Sequence, residues 1–337
     1  MRSDPSWGQA IVRQVRDITP DIREITLAPE TPAGPYATGA HLVVQVLVDG
    51  RQDTRRYSLV GEAPIDGAWR IAVKREMPGR GGSAYMRSLP VGARLNVGLP
   101  DTFFELSRGA SFYLLIAGGI GVTPMRGMAS ALRHRGAAVR MLYGGPSRAA
   151  MAYLGELQAE LGDRLAVFAD DEGSPMDLAA AFAALPPDGE AYVCGPLGLL
   201  EAAKLAWAAT GRPRAGLVFE TFGATGHYAA APFRVRVPRL GIEVSVPPNA
   251  TMLDALRGAG VRVLHDCRRG ECGLCAMDVL AVDGTTDHRD VFFSDHEHDA
   301  NTKICVCVSR MASGTIDVEP AFRGDAPLSP GRRAVLV

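Results

Sequence analysis

The first third of the chain alternates apolar and polar positions with a period of two. IVRQVRDI (11–18), REITLAP (23–29), HLVVQVLV (41–48), RRYSLV (55–60) and WRIAVKRE (69–76) carry the pattern, with Gly, Pro and Asp between them. Short, regularly spaced strands of this kind predict an antiparallel β-barrel over residues 8–107. From residue 112 the pattern changes. FYLLIA (112–117), VRMLY (139–143), RLAVFA (164–169), EAYVC (190–194) and GLVFE (216–220) are continuous apolar runs, separated by helical stretches near 124–135, 149–161, 176–184 and 197–209. Strands alternating with helices predict an α/β domain with a parallel sheet over 108–224, whose ligands lie at the carboxyl ends of the strands. Beyond a linker at 225–231, FRVRV (233–237) and IEVSV (242–246) read as a hairpin. A helix follows from Asn249 to Ala259, with Thr251 and Asp254 as a capping pair and Gly260 as its stop. With MDVLAVDG (277–284) and GTIDVEP (314–320) as later strands, residues 232–320 make a small α+β domain, and 321–337 a disordered or surface-draped tail.

A chain of 337 residues is too long for one core, which agrees with this multidomain reading. Its 47% hydrophobic and 22% charged content is ordinary for a soluble protein, and a net charge of −1 gives no support for nucleic acid or an anionic membrane as partner. MRSDPSWGQAIV holds no signal-like apolar run, and no stretch of 18 apolar residues occurs. These features lead to an expectation of a cytoplasmic protein in a reducing compartment.

Cysteine placement sharpens the picture. Cys194 stands alone, whereas Cys267, Cys272, Cys275, Cys305 and Cys307 crowd the last quarter. In a reducing compartment such clustering favours a metal site over disulfides. CRRGECGLC (267–275) has the spacing C-x4-C-x2-C, with further cysteines about thirty residues on, which is the plant-type [2Fe–2S] pattern. Soft thiolates suit such clusters, and Gly270 and Gly273 let backbone N–H groups approach the sulfurs. Zinc sites more often use paired C-x2-C knuckles, and only one is present. The fourth ligand is open between Cys305 and Cys307, which share a face if ICVCVSR is an extended strand. His288, His296 and His298 lie in DHRDVFFSDHEHDANTK, read here as a solvated acidic loop rather than a second metal site.

Glycine turns mark the α/β domain. AGGIGVTP (117–124) follows its first strand, with Thr123 expected as N-cap and Pro124 as first helical residue, presenting N–H groups to an anion. This is not G-x-G-x-x-G, and no acid ends the second strand at RMLYGG, which argues against a Rossmann dehydrogenase. Cys194-Gly195-Pro196 opens another helix at the same sheet edge. In the barrel, Arg55-Arg56-Tyr57-Ser58-Leu59 gathers cations, an aromatic and a hydroxyl, and Gly79-Arg80-Gly81-Gly82-Ser83 opens a short helix (Ser83–Arg87) suited to a phosphate.

R-x-Y-S-L, G-R-G-G-S, G-G-I-G-V-T-P, C-G-P and C-x4-C-x2-C, in this order from about residue 8 to residue 320, resemble the phthalate dioxygenase reductase family. These are reductase components of Rieske-type oxygenases, among them vanillate O-demethylase reductases. The resemblance implies a flavin-binding barrel, a nicotinamide-binding α/β domain and a C-terminal ferredoxin, an order that goes with FMN rather than FAD. It implies that Arg55 neutralises the flavin phosphate, Tyr57 lies along the isoalloxazine and Ser58 hydrogen-bonds its N5. Ala72, Val73 and Lys74 would line the ring and ribityl chain, and Gly81, Gly82 and Ser83 would hold the phosphate. Gly119, Gly121, Thr123 and Pro124 would receive the dinucleotide, with Thr123 near the nicotinamide. Cys194, Gly195 and Pro196 would approach that ring, and Glu220 and Phe222 would close the site at the flavin. Ser147 and Arg148 would serve the adenosine end, although Pro146 stands where relatives often carry arginine.

The family pattern assigns Cys267, Cys272, Cys275 and Cys307 to the cluster. Its implied activity is electron transfer from NADH, rather than NADPH, through flavin and cluster to an oxygenase docking at the cluster loop, by a monomer. A Rieske centre at about −150 to +300 mV lies downhill from a plant-type cluster near about −400 mV. Other acceptors, such as a haem protein or a small molecule, and a redox-sensing or purely electron-carrying role stay open from the residues alone.

Overall fold

The computed structural model describes residues 7–320 apart from 77, 78, 80, 223–225 and 227. The expected tail at 321–337, Arg80 and part of the expected linker lie outside the described residues. The chain divides into two compact units, with the boundary between Glu220 and Thr221.

In the first unit the period-two pattern becomes β1 (Trp7–Thr19), β2 (Ile22–Pro29), β3 (His41–Val48), β4 (Arg51–Ser58) and β5 (Trp69–Lys74), followed by α1 (Gly82–Ser88) and β6 (Arg94–Gly98). The sheet order is β4-β3-β6-β1-β2-β5, and a bridge between Leu59 and Ile71 joins its outer strands into a barrel. Alternate residues such as Val12, Ile25, Leu27, Leu42, Val44 and Ile71 are fully buried inside it. The strand β6 is an addition to the sequence reading. It is five residues long and bounded by Gly92 and Pro100, too short to display a period, and it finds its place only by pairing with β1 and β3.

The α/β layer contains β7 (Tyr113–Gly118), α2 (Val122–His134), β8 (Val139–Gly145), α3 (Leu154–Leu161), β9 (Leu165–Ala169), α4 (Leu178–Ala183), β10 (Glu190–Cys194), α5 (Leu197–Ala209) and β11 (Leu217–Glu220). All five strands are parallel, in the order β11-β10-β7-β8-β9. The winding reverses between β7 and β10, which creates a crevice at their carboxyl ends. Two helix starts differ from expectation. The helix α2 begins at Val122, straight out of a 3-10 turn at Gly119–Gly121, so Thr123 does not cap it. Its hydroxyl instead donates to the Ile120 carbonyl at 2.9 Å. The helix α3 starts only at Leu154, because Tyr153 takes a left-handed conformation (φ 60°) that interrupts the helical run.

Barrel and α/β layer are packed directly on each other. A Cβ on Gly127 of α2 would strike the Gly61 backbone, with its carbon at 2.9 Å. The Tyr153 hydroxyl donates to buried Glu24 Oε2 of β2 at 2.9 Å, while the Arg126 guanidinium lies 4.7 Å over the Tyr153 ring.

The second unit comprises β12 (Phe233–Val237), β13 (Ile242–Val246), α6 (Met252–Gly258), β14 (Ala276–Asp287), α7 (Asp295–Ala300), β15 (Lys303–Cys305) and β16 (Arg310–Pro320). The expected hairpin pairs from Phe233↔Val246 to Val237↔Ile242, and the sheet runs β13-β12-β16-β14-β15. Thr251 caps α6 by accepting the Asp254 N–H at 3.0 Å, as its spacing predicts. The segment read as a solvated acidic loop is not one. Asp287, Arg289 and Asp290 are buried, and Ser294 and Glu297 form a capping box on α7. Among the described residues, no helix is long and apolar enough to cross a membrane.

Candidate functional site

An irregular loop at 262–275 carries the first three clustered thiols. Cys267, Cys275, Cys305 and Cys307 are buried and Cys272 is half-buried. Cys305 and Cys307 do not share a strand, contrary to the extended reading. The strand β15 ends at Cys305 and a turn carries Cys307 toward the loop.

The sulfurs sit among hydrogen-bond donors. The Cys272 thiol, together with N–H groups of Arg269, Glu271 and Cys272, outweighs burial and brings Cys267 down to about 5. The Arg269 N–H reaches Cys267 Sγ at 3.4 Å. Thiols of Cys305 and Cys307 hydrogen-bond to Cys275 and hold it at about 4, while those same bonds, and then burial, push their own values up. Cys307 takes the Gly270 N–H and senses both Cys275 and Cys267, whereas Cys305 faces Cys275 and Asp290. Gly270 and Gly273 have φ of 76° and 71°, so the loop closes only with glycine there. A Cβ on Gly270 would meet the Asp290 Cα at 2.8 Å. Buried sulfurs gathered close together and met by backbone N–H groups suit an iron–sulfur cluster.

Several supporting residues were not legible as such in the sequence. Asp290 accepts from the Ser309 hydroxyl (2.9 Å), the Phe293 N–H (3.1 Å) and His298 Nε2 (3.1 Å), and the His288 and His298 rings stack at 4.6 Å. Burial raises the Asp290 pKa, but the neighbouring His288 and His298 imidazoles and the Phe293 N–H prevail and hold its carboxyl well below the usual range. This buried hub braces the cysteine loop through Gly270, whose carbonyl accepts the Val291 N–H at 2.9 Å. Beside the cysteines, Arg269 pairs with Glu271 at 2.7 Å and Arg268 with Asp254. Glu271 also accepts the Thr221 N–H at 3.0 Å.

The barrel presents a second set of groups. Ser58 ends β4 with its Oγ buried and, among the described residues, without a hydrogen-bond partner. Such an orphaned hydroxyl is costly unless a ligand satisfies it. Arg55, which also pairs with Asp53, lies against the bare Cα of Gly82 at the start of α1, where a Cβ would strike its side chain at Cγ (2.8 Å). Gly81 precedes it with φ 74°, and the Ser83 hydroxyl accepts the Glu76 N–H at 3.2 Å. Tyr57 is half-buried, and burial pushes its phenol up. On β5, Ala72 and Val73 are buried and Lys74 is exposed. A flavin fits this set: a cation beside a glycine-opened helix start for a phosphate, and a free hydroxyl for a ring edge.

Third comes the crevice between β7 and β10. Gly121 packs on the backbone after β10, so a Cβ there would meet the Gly195 nitrogen at 2.9 Å, and one on Gly195 would meet the Gly118 Cα at 3.0 Å. Gly119 (φ 53°) has open space where a side chain would be. Pro196 opens α5, and buried Thr123 and Pro124 lie in the first turn of α2. Ala117, Cys194 and Glu220 stand side by side in register at the carboxyl ends of β7, β10 and β11, and Cys194 and Glu220 are buried. Half-buried Phe222 follows two residues later in sequence. After β8, Ser147 is extended and Arg148 is exposed and paired with Glu172. The structure thus gathers Gly119, Gly121, Thr123, Cys194 and Gly195 at one edge, with β5 of the barrel beside the 119–121 turn.

Comparison with known proteins finds a domain family for each of the three regions. Residues 9–105 match the oxidoreductase FAD-binding domain, 115–205 the oxidoreductase NAD-binding domain and 235–312 the 2Fe-2S iron-sulfur cluster binding domain. The chain is 38% identical over 289 residues to the phenoxybenzoate dioxygenase subunit beta of Ectopseudomonas oleovorans, covering 84% of this chain and 88% of that protein. It is 36% identical over 301 residues to the phthalate dioxygenase reductase of Burkholderia cepacia, covering 87% and 90%. A solved structure of phthalate dioxygenase reductase superposes with a TM-score of 0.75 and 32% identity, over 93% of this chain and 98% of that one. The chain therefore belongs to the phthalate dioxygenase reductase family, as an NAD(P)H-dependent flavin and iron–sulfur oxidoreductase with a C-terminal plant-type ferredoxin domain.

Proposed function

We propose that this protein is the NADH-dependent, FMN-containing reductase of a Rieske-type oxygenase or demethylase system. The observation that carries the reading is the cage of buried cysteine sulfurs and backbone N–H groups, on a chain that also holds flavin and nucleotide domains. Cys267, Cys272, Cys275 and Cys307 are the cluster ligands. Cys307 is preferred over Cys305 because it senses Cys267 as well as Cys275 and takes the Gly270 N–H. FMN and NADH are supported by the domain order and the family resemblance.

When bound, the nicotinamide supplies a hydride, the flavin divides the electron pair and the cluster passes on single electrons. The protein's own groups position and shield. Ser58 directs its hydroxyl to the flavin ring edge and Tyr57 packs along the ring. Ala72, Val73 and Lys74 line the ring and ribityl chain. Arg55, with Gly81, Gly82 and Ser83, holds the phosphate. Gly119, Gly121, Thr123 and Pro124 let the dinucleotide approach the backbone, and Ser147 and Arg148 hold its adenosine end. Cys194, Gly195 and Pro196 shape the pocket for the nicotinamide, with buried Glu220 closing it. The partner, an oxygenase component, docks at the cluster loop. There Leu274 and Phe292 are exposed, while Arg268 and Arg269 are engaged by Asp254 and Glu271.

The test is an anaerobic titration of the purified holoprotein with NADH, following flavin and cluster absorbance. Bleaching of both supports the reading. Bleaching of the flavin beside an intact cluster that stays oxidised rejects the internal transfer. Flavin released by denaturation and resolved by chromatography decides FMN against FAD.

A further inference from the structure

NADH and NADPH differ by one phosphate on the adenosine ribose, so discrimination must reside where that ribose lies. A dinucleotide seated in the β7–β10 crevice and extending along the carboxyl edge of the sheet passes the loops after β8 and β9. Those two loops are joined by the Asp171 N–H, which donates to the Pro146 carbonyl at 3.2 Å. Arg148 stands on the first loop, at the start of a 3-10 turn (Arg148–Ala150). Glu172 stands on the second, ending the turn Asp170–Glu172.

The two side chains meet in a two-pronged pair, Nε to Oε1 at 2.6 Å and Nη2 to Oε2 at 3.1 Å. Both are nearly half exposed, at 47% and 45%, and so open to a ligand. Each holds the other in its charged form, the carboxyl below and the guanidinium above its ordinary value. The turn that supplies Glu172 also carries Asp170 and Asp171, so these two turns hold three carboxylates and one guanidinium.

We propose that Glu172 occupies the fork of Arg148 and so denies it to a 2′-phosphate, which makes the Arg148–Glu172 pair the element that selects NADH over NADPH. The inference rests on the nucleotide site proposed above. An arginine fork binds a phosphate through the same parallel N–H groups that it offers a carboxylate. With the fork filled, a 2′-phosphate meets net negative charge. A ribose diol is neutral and is not repelled. Surface pairs of this kind contribute little to stability, which suits a role in selection rather than in holding the fold.

The experiment compares wild type, Glu172→Gln, Arg148→Ala and the double variant as full-length holoproteins. Flavin bleaching by NADH and by NADPH is timed anaerobically in a stopped-flow instrument, and the NADPH-to-NADH efficiency ratio is the readout. Flavin content and circular dichroism establish that each variant is folded. Glu172→Gln is expected to raise the ratio about tenfold or more by freeing a charge-assisted fork. Arg148→Ala alone leaves the ratio low, and the double variant cancels the gain. A ratio within about twofold of wild type in Glu172→Gln overturns the proposal, as does a gain that persists without Arg148 or a wild type that uses both coenzymes equally. Failure of either coenzyme to bleach the wild-type flavin would instead remove the underlying nucleotide-site reading, and the inference with it.

Discussion

Cys194 and Glu220 are register partners on adjacent parallel strands, both buried at the carboxyl edge of the sheet. The pairing places a thiol and a carboxyl on one wall, 26 positions apart in sequence (194 to 220) yet adjacent in space. If this wall orients the nicotinamide, Cys194→Ala and Glu220→Gln each slow flavin bleaching by NADH about 10- to 100-fold, as small misplacements of a hydride donor do. Because the two are neighbours, the double variant falls short of the product of the singles. Stopped-flow rates checked against unchanged cluster content test this, and full additivity would separate their roles.

The two late cysteines differ in surroundings, and their serine variants should differ in outcome. Cys307→Ser abolishes the cluster absorbance and its reduced-state electron paramagnetic resonance signal. Cys305→Ser keeps both, since Cys305 stands beside Cys275 and Asp290, whereas Cys307 stands beside Cys275, Cys267 and the Gly270 N–H. The reverse result would exchange the ligand assignment.

On the proposed phosphate site, flavin retention depends on the contact between Arg55 and Gly82. Arg55→Ala is expected to weaken flavin binding about 10- to 100-fold, the scale of a charge-assisted contact. Gly82→Ala acts through the same arginine, because the added methyl occupies its place. Dialysis followed by flavin fluorescence measures both. Retention at wild-type levels in both variants would move the phosphate elsewhere.

Asp290 gives a pH-dependent prediction. Its carboxyl is depressed in the folded state despite burial. It therefore adds stability that is full above the unfolded value of about 3.9 and is lost as pH falls below it toward the folded value. At neutral pH, Asp290→Asn should cost about 3 kcal/mol, because the buried donors around it lose their charged acceptor. Denaturant unfolding followed by circular dichroism should show this deficit at pH 7 and a narrower one below about pH 4.

How much of this was legible in the sequence follows from what is local. The cysteine spacing, the glycine turns and the Thr251–Asp254 cap are short-range patterns, and each appears where the residues imply. The adjacency of Cys194 and Glu220 is not local, because it depends on the strand order β11-β10-β7. The Asp290 hub was misread because alternating acids and histidines resemble solvated surface. Only the fold supplies Ser309, Phe293 and Gly270 as its neighbours. Arg148 was visible as a candidate, but its engagement by Glu172 spans 24 positions and two loops. Strand β6 was too short to announce itself.

The bond between Tyr153 and Glu24 has a thermodynamic consequence. It links barrel and α/β layer in a contact where each side completes the other, with Gly127 packed on Gly61 beside it. A fragment ending near residue 107 would leave Glu24 without the Tyr153 hydroxyl, and one beginning near 108 would leave that hydroxyl without the Glu24 carboxylate. Flavin and nucleotide sites should therefore melt together in a single calorimetric transition. The ferredoxin, a compact unit of its own, is free to show a second, so a chain with three cofactor sites should lose its order in two steps.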